Sequence, residues 1–308
     1  MNDTYRLPTF FIIGAAKSGT TTLYDVLKQH PQIGLSSVKE PRFFSNDEKY
    51  AKGIHWYLET YFSHIDSGIV VRGEASPQYL YWSNKVAPRL QETYQNNIVP
   101  KFICIFRDPV QRAYSHYWHA YRYGWEELTF DAAIRFEEER VRHFLETHAG
   151  TDEMFFSYYR AGLYATQLTY FLDIFSRDQF LFLLQDDLVG NFPETVTRLL
   201  EFLEVDSSFR ISPVFSNRAA LPRSQRLVKY LKEPARPYSL KWWFKLMLPL
   251  PARQKVKRLI RRRNLKDTAY PPMDPGLSKE LRVRYTGEIL RLQEIIGRDL
   301  SHWLANSE

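Results

Sequence analysis

The sequence predicts an α/β fold, a single domain over 1–308 with a central, mostly parallel sheet flanked by helices. Three observations carry this. Four short apolar runs alternate with longer stretches of helical periodicity. The first run ends in a Gly/Ser/Thr-rich loop that opens directly into a helix. Of the 308 residues, 44% are hydrophobic and 16% aromatic, enough to bury one large core and too many for a disordered chain.

Taken in order, 9–14 (TFFIIG) reads as a buried parallel strand, short, apolar and ended by Gly. A helix follows over 19–30, with Leu23, Val26 and Leu27 on one face and Pro31 stopping it. The run 69–75 (IVVRGEA) is a second strand and 101–106 (KFICIF) a third. Asp108 suits a helix N-cap and Pro109 the first helical position, opening a helix to about Tyr123. Further helices are expected over 129–148, 159–175 and 191–203, with a fourth strand at 179–184 between the last two. A long C-terminal helix is expected at about 276–303, with Leu281, Tyr285, Ile289, Leu292 and Ile296 in register. The stretches 234–251 and around Pro271 read as irregular connections.

The only cysteine, Cys104, excludes an intramolecular disulfide and a cysteine-based metal site. It sits inside the third strand, as a buried residue or a reactive thiol. No run approaches the roughly 20 apolar residues of a membrane-spanning helix, and the first apolar run is too short for a secretory signal. The expectation is a cytoplasmic protein. The net charge is +7, but residues 223–266 hold 15 Lys or Arg against the single acid Glu233, so the remainder of the chain is negative.

The sharpest local signal is Gly14-Ala-Ala-Lys17-Ser18-Gly19-Thr20-Thr21-Thr22, between a strand and a helix. Glycines let the backbone wrap an anion, and the N–H groups at the helix start point at it. The hydroxyls of Ser18, Thr20, Thr21 and Thr22 add donors. A nucleoside-triphosphate loop would carry lysine straight after its second Gly. Here Thr20 follows Gly19 and the lysine falls earlier, at Lys17, which argues against ordinary ATP or GTP binding. Anion binding and a plain strand–helix turn both stay open for the loop alone. A second candidate is Arg107, at the carboxyl end of a parallel strand where ligands bind open α/β sheets, with Ser115 about two turns into the next helix. Its rival is a surface Arg107–Asp108 pair and a serine bonded to its own helix.

Together these segments resemble the sulfotransferases that use 3′-phosphoadenosine 5′-phosphosulfate (PAPS), nearest to bacterial relatives of the heparan sulfate enzymes. The stretch 17–22 resembles the family's 5′-phosphosulfate loop, and Arg107 with Ser115 its 3′-phosphate site. Residues 39–44 (KEPRFF) resemble the segment carrying the acidic base, and 74–79 (EASPQY) the next substrate-side segment. Residues 162–164 (GLY) with Gln167-Leu168 resemble the helix behind the 3′-phosphate. Asn217 and Pro222-Arg223-Ser224 resemble a late loop over the nucleotide, and 297–303 (GRDLSHW) the terminal helix. The order is kept over nearly the whole chain. A P-loop-like domain is thereby implied, with PAPS as sulfuryl donor and no metal. The resemblance makes Lys17 and Glu40 catalytic, Glu40 as general base. It gives Lys17, Ser18, Gly19, Thr20, Thr21, Thr22, Arg107, Ser115, Tyr164, Arg223 and Ser224 to the nucleotide. Arg42, Glu74 and His116 fall to the acceptor, with pairing to Arg42 as the alternative for Glu74. His116 and His119 are rival bases, His119 with a solvent-facing alternative. Two departures, Ala75 where the heparan-type enzymes commonly carry lysine and the lone cysteine, point away from a heparan acceptor and toward a bacterial, cytoplasmic enzyme.

The acceptor is left as a carbohydrate, glycolipid or small molecule, through a hydroxyl or an amine. The basic, aromatic stretch at about 223–266 forms an insertion or lid. Three readings stay open for 240–263: peripheral contact with an anionic membrane, a grip on an anionic acceptor, or a solvated cover over the acceptor cleft. No recognition fold supports nucleic acid. Rival functions are a small-molecule kinase, which the misplaced lysine opposes, and a non-enzymatic binder of anionic glycan or lipid, which would be expected to lack one of Lys17, Glu40, Arg107 or Ser115.

Overall fold

Five parallel strands form the central sheet, in the order β2-β3-β1-β4-β5. They are β1 (Phe10–Gly14), β2 (Ile33–Leu35), β3 (Val71–Ala75), β4 (Lys101–Phe106) and β5 (Phe180–Leu184). The computed structural model describes residues 6–305 apart from 67, 96–98, 148–152, 215–219, 233–237, 239–242 and 244–246. Successive side chains on a strand face opposite ways, and the core divides accordingly. Phe11, Ile13, Phe102, Cys104 and Phe106 enter one buried cluster, while Phe10, Ile12, Ile103 and Ile105 enter the other. Helices α1 (Thr20–Leu27) and, near the end of the sheet segment, α8 (Phe192–Phe202) cover the second face through Leu23, Val26, Val196 and Leu199.

The first face is covered by α2 (Gly53–Phe62), α3 (Ser83–Thr93), α4 (Pro109–Arg122), α7 (Tyr164–Leu172) and the C-terminal α11 (Pro275–Ile296). Between α4 and α7 run α5 (Phe130–Arg135) and α6 (Glu137–Thr147). The basic segment forms α9 (Gln225–Lys232) and α10 (Leu250–Arg263), bracketed by an antiparallel pair, β6 (Ala220–Pro222) with β7 (Leu265–Asp267). Cys104 is fully buried, which pushes its thiol pKa up and makes it a packing residue rather than a reactive one.

The four expected strands form, and β2 is an addition that three residues after Pro31 could not announce. It fits because position 34 is glycine, where a Cβ would stand 2.7 Å from Ile65. The expected helix 129–148 breaks at Phe136. Glu137 turns inward there, and its carboxylate accepts the N–H groups of Tyr159 (2.6 Å) and Arg160 (2.8 Å). For the same reason the expected helix from 159 starts only at Tyr164, after a 3₁₀ turn at Arg160–Gly162. The C-terminal helix ends at Ile296 instead of running to 303, because Gly297 adopts a left-handed cap (φ 66°). Asn217 and most of 233–246 lie outside the described residues, so the readings placed there do too.

Candidate active site

Strand β1 delivers the loop to the carboxyl edge of the sheet, where Ala15 N–H donates to the Ile105 carbonyl (2.8 Å). Lys17 then takes a positive φ of 71° and Gly19 one of 107°, so that α1 starts directly beneath the loop. Glu40 (φ 65°) and Arg42 (φ 58°) share this unusual backbone region. Side chains rarely adopt it without compensation, and such residues gather at functional sites. Their segment is stitched to the end of β3: Glu40 N–H donates to the Ala75 carbonyl (3.0 Å) and Arg42 N–H to the Ser76 hydroxyl (3.2 Å).

On the other side, β4 ends at Arg107. Asp108 caps α4 through Val110 N–H (2.8 Å) and is itself held by Arg282 of α11 (3.0 Å). This fixes the helix start, and with it Arg107 above and Ser115 along the helix. The result is a cleft of about 350 Å³ in which Lys17, Glu40, Arg42, Arg107, Ser115 and His119 meet.

Charge in the cleft is organised in two clusters. Glu40 accepts from Lys39 (2.7 Å), Arg42 (3.1 Å) and Gln78 (3.0 Å). Burial alone would raise its carboxyl, but Lys39 and Arg42 outweigh burial and hold it at about 2. Across from it, His119 Nδ1 accepts from Lys17 Nζ and from Arg122 Nη2, both at 3.3 Å. Burial first, then Arg122, Arg107 and Lys39, push Lys17 down to about 8. Burial, Lys17 and Arg122 push His119 down to about 3, so its ring is neutral near pH 7, with Nδ1 as acceptor and Nε2 carrying the proton. Burial also lowers Arg107 and His116.

Of the residues named from sequence, Lys17, Gly19, Thr20, Thr21, Thr22, Glu40, Arg42, Arg107, Ser115 and His116 line the cleft. Ser18 is fully buried behind the loop, and Tyr164, 2% exposed, donates to the Arg107 carbonyl (3.1 Å) from beneath. Arg223 and Ser224 sit apart, bonded to Asn264. Glu74 is corrected from an acceptor contact to a core group. It is fully buried, and its carboxylate accepts from Tyr57 (2.6 Å), Tyr79 (2.8 Å) and Ser76 (2.6 Å). Of the two readings for His119, the structure places it facing the cleft. Lys39, Gln78 and Gln185 line the cleft without having been singled out. Lys39 stood next to Glu40 in the same segment, and Gln185 follows β5 at the ligand edge of the sheet. Gln78 lay within the substrate-side segment 74–79. Among the described residues no group of three or more His, Cys, Asp or Glu could hold a metal ion, and no helix is long and apolar enough to cross a membrane.

A family model described as "Sulfotransferase domain" matches residues 7–270. Among characterised proteins, the chain is similar to the membrane-associated sulfotransferase kil1 of Dictyostelium discoideum, 44% identical over 114 residues, 36% of this chain and 22% of that protein. It is also similar to human heparan sulfate glucosamine 3-O-sulfotransferase 3B1, 29% identical over 198 residues, 64% of this chain and 46% of that protein. The matches thus span less than half the length of either relative. The crystal structure of a sulfotransferase from Alicyclobacillus acidocaldarius superposes with a TM-score of 0.69 at 26% identity, covering 97% of this chain and all of the other.

Proposed function

The chain belongs to the sulfotransferase domain family, and from that membership we propose that it moves a sulfuryl group from PAPS onto a hydroxyl of a carbohydrate acceptor, with Glu40 as general base. The observation that carries this reading is the shared cleft of Lys17, set inside a phosphate-type loop, and an ionised Glu40. The carbohydrate class is taken from the glycan acceptor named for the human relative.

PAPS supplies an activated sulfuryl group whose leaving group is the nucleotide's 5′-phosphate. Transfer needs the attacking and leaving oxygens in line, so positioning and charge stabilisation supply most of the rate. The loop N–H groups and Lys17 hold the phosphosulfate and neutralise the oxygen that gains charge. Arg107 and Ser115 hold the 3′-phosphate and set register. Glu40 takes the acceptor proton. While Lys39 and Arg42 pin it, the carboxylate is a weak base. Lys39 and Arg42 would also face the anionic donor, and any loosening of their hold on Glu40 would raise its basicity. His119 is less suited to accept a proton, because Lys17 and Arg122 already occupy Nδ1 and the remaining nitrogen is a donor.

Calorimetry with 3′-phosphoadenosine 5′-phosphate, the expected product, tests the reading. Wild type binds it, and Arg107→Ala weakens binding about 10- to 100-fold, matching the loss of one or more charge-assisted hydrogen bonds of about 1.5–3 kcal/mol each. ATP binding with magnesium, and none of the 3′-phosphorylated nucleotide, sinks the sulfotransferase reading.

A further inference from the structure

Gln78 opens the four-residue helical turn Gln78–Tyr81 that follows β3. It is only 4% exposed, although its side chain lines the cleft. The bond from Tyr79 N–H to the Ser76 carbonyl (2.9 Å) fixes the backbone that carries it. Its Nε2 donates to Glu40 Oε2 (3.0 Å). The other end of the same amide, Oε1, is buried and meets no hydrogen-bond donor among the described residues. A buried polar atom left without a partner is costly, and each one calls for an explanation. Reversing the amide gives no relief while Glu40 is ionised, because it sets oxygen against oxygen.

Proton transfer supplies the explanation. An ionised Glu40 only accepts, and Lys39, Arg42 and Gln78 all donate to it. Once Glu40 holds the acceptor's proton, its new O–H must itself donate. Lys39 and Arg42 cannot accept it, since ammonium and guanidinium groups are donors only. Gln78 can. Amide oxygen and nitrogen are nearly the same size, so a half-turn about the last side-chain bond exchanges them in place without disturbing the packing. Oε1 then stands where Nε2 stood, within hydrogen-bond reach of Glu40. One end of the amide is unpartnered before the turn and one after it, so the exchange leaves no additional group unsatisfied.

We propose that Gln78 is a positioning residue with two settings: it donates to the Glu40 carboxylate before proton transfer and turns over to accept from the Glu40 carboxylic acid afterwards. The inference rests on Glu40 as general base and deepens that reading by naming the group that stabilises its protonated form.

Water serves as the acceptor in the test. Sulfur-radiolabelled PAPS is mixed with excess enzyme, and sulfate release is followed in wild type, Q78M, Q78K, E40Q and E40Q/Q78M. In this reaction the water oxygen bonds to sulfur, and the bond from sulfur to the 5′-phosphate oxygen breaks with its electrons on the nucleotide. One water proton passes to Glu40. Methionine fills the space of glutamine with no donor and only a weak acceptor, and lysine keeps a donor but offers no acceptor. Thermal melting and calorimetry with 3′-phosphoadenosine 5′-phosphate on the same proteins check the fold and the donor site.

E40Q should lose about 100-fold or more in rate. Q78M should lose about ten- to a hundredfold, as for one hydrogen bond to a charged group, and Q78K should be at least as slow. Nucleotide affinity stays unchanged in all. In the E40Q background Q78M should add less than about twofold, because the two residues act as a unit, whereas a structural role would slow both backgrounds alike. Q78M at the wild-type rate, or a Q78M loss as large in E40Q as in wild type, overturns the proposal. Q78K at the wild-type rate overturns the turnover, by showing that donation alone suffices. E40Q at the wild-type rate is a different failure: it takes the base role from Glu40, and the premise falls with it.

Discussion

Titrating Lys17 should change donor-site affinity in a way the structure allows to be worked out. Its ammonium sits in the free protein at about 8, lowered by burial and then by Arg122, Arg107 and Lys39. A bound 5′-phosphate favours the charged form, so binding draws on the protonated fraction. Near pH 7 about nine-tenths of the molecules carry the proton, and at pH 9 roughly one in eleven does. Affinity for 3′-phosphoadenosine 5′-phosphate should thus be level up to about pH 7.5 and fall about tenfold by pH 9, about 1.4 kcal/mol. The ligand's own second phosphate ionisations, near 6, are complete below this window. Calorimetry across pH 6.5 to 9.5 reads the effect directly. Lys17→Arg, charged throughout, should flatten the curve. Arg122→Gln removes the largest neighbouring positive charge and should move the fall to higher pH. An unchanged midpoint in Lys17→Arg, or a level wild-type curve, would refute the reasoning.

Three further outcomes are expected. Glu40→Gln should lower PAP release from PAPS in the presence of acceptor by about 10²- to 10⁴-fold with nucleotide affinity unchanged; a loss smaller than tenfold would pass the proton to another group. Glu74→Gln should lower thermal stability by about 1–3 kcal/mol, since an amide cannot satisfy the hydroxyls of Tyr57, Tyr79 and Ser76 as the carboxylate does. It should leave nucleotide affinity alone, and a selective rise in acceptor KM at wild-type stability would return Glu74 to the acceptor. Gly73→Ala puts a Cβ about 2.4 Å from the Phe10 ring inside the sheet, and such overpacking costs about 1–3 kcal/mol; an unchanged melting temperature would show that Phe10 can move aside.

Where local chemistry sufficed, the sequence was readable. An apolar run ending in glycine before a hydroxyl-rich stretch has few structural uses, and 10–22 becomes a strand, an anion-type loop and a helix. Asp108-Pro109 marks the start of α4, and the Asp108 side chain caps it. Gly297 is an equally local stop signal, although the apolar register continues past it to Leu300 and Trp303. Phe136 carried no such mark: the break there comes from Glu137 reaching Tyr159 and Arg160, more than twenty positions along the chain.

The sequence by itself determined four of the five sheet strands, the phosphate-type loop, and the offset that places Ser115 two turns beyond Arg107, because hydrophobic periodicity, turn residues and caps act over a few residues. Tertiary structure alone decided which polar groups are inside. It buried Glu74 under three hydroxyls, aimed Gln78 at Glu40 across 38 positions, and set Lys17 on His119 across 102. It also brought α10 against the end of α4 to enclose a second cavity. The physical reason is that desolvation and pairing depend on what surrounds a charge in space, and neither is encoded in the residues beside it in the chain.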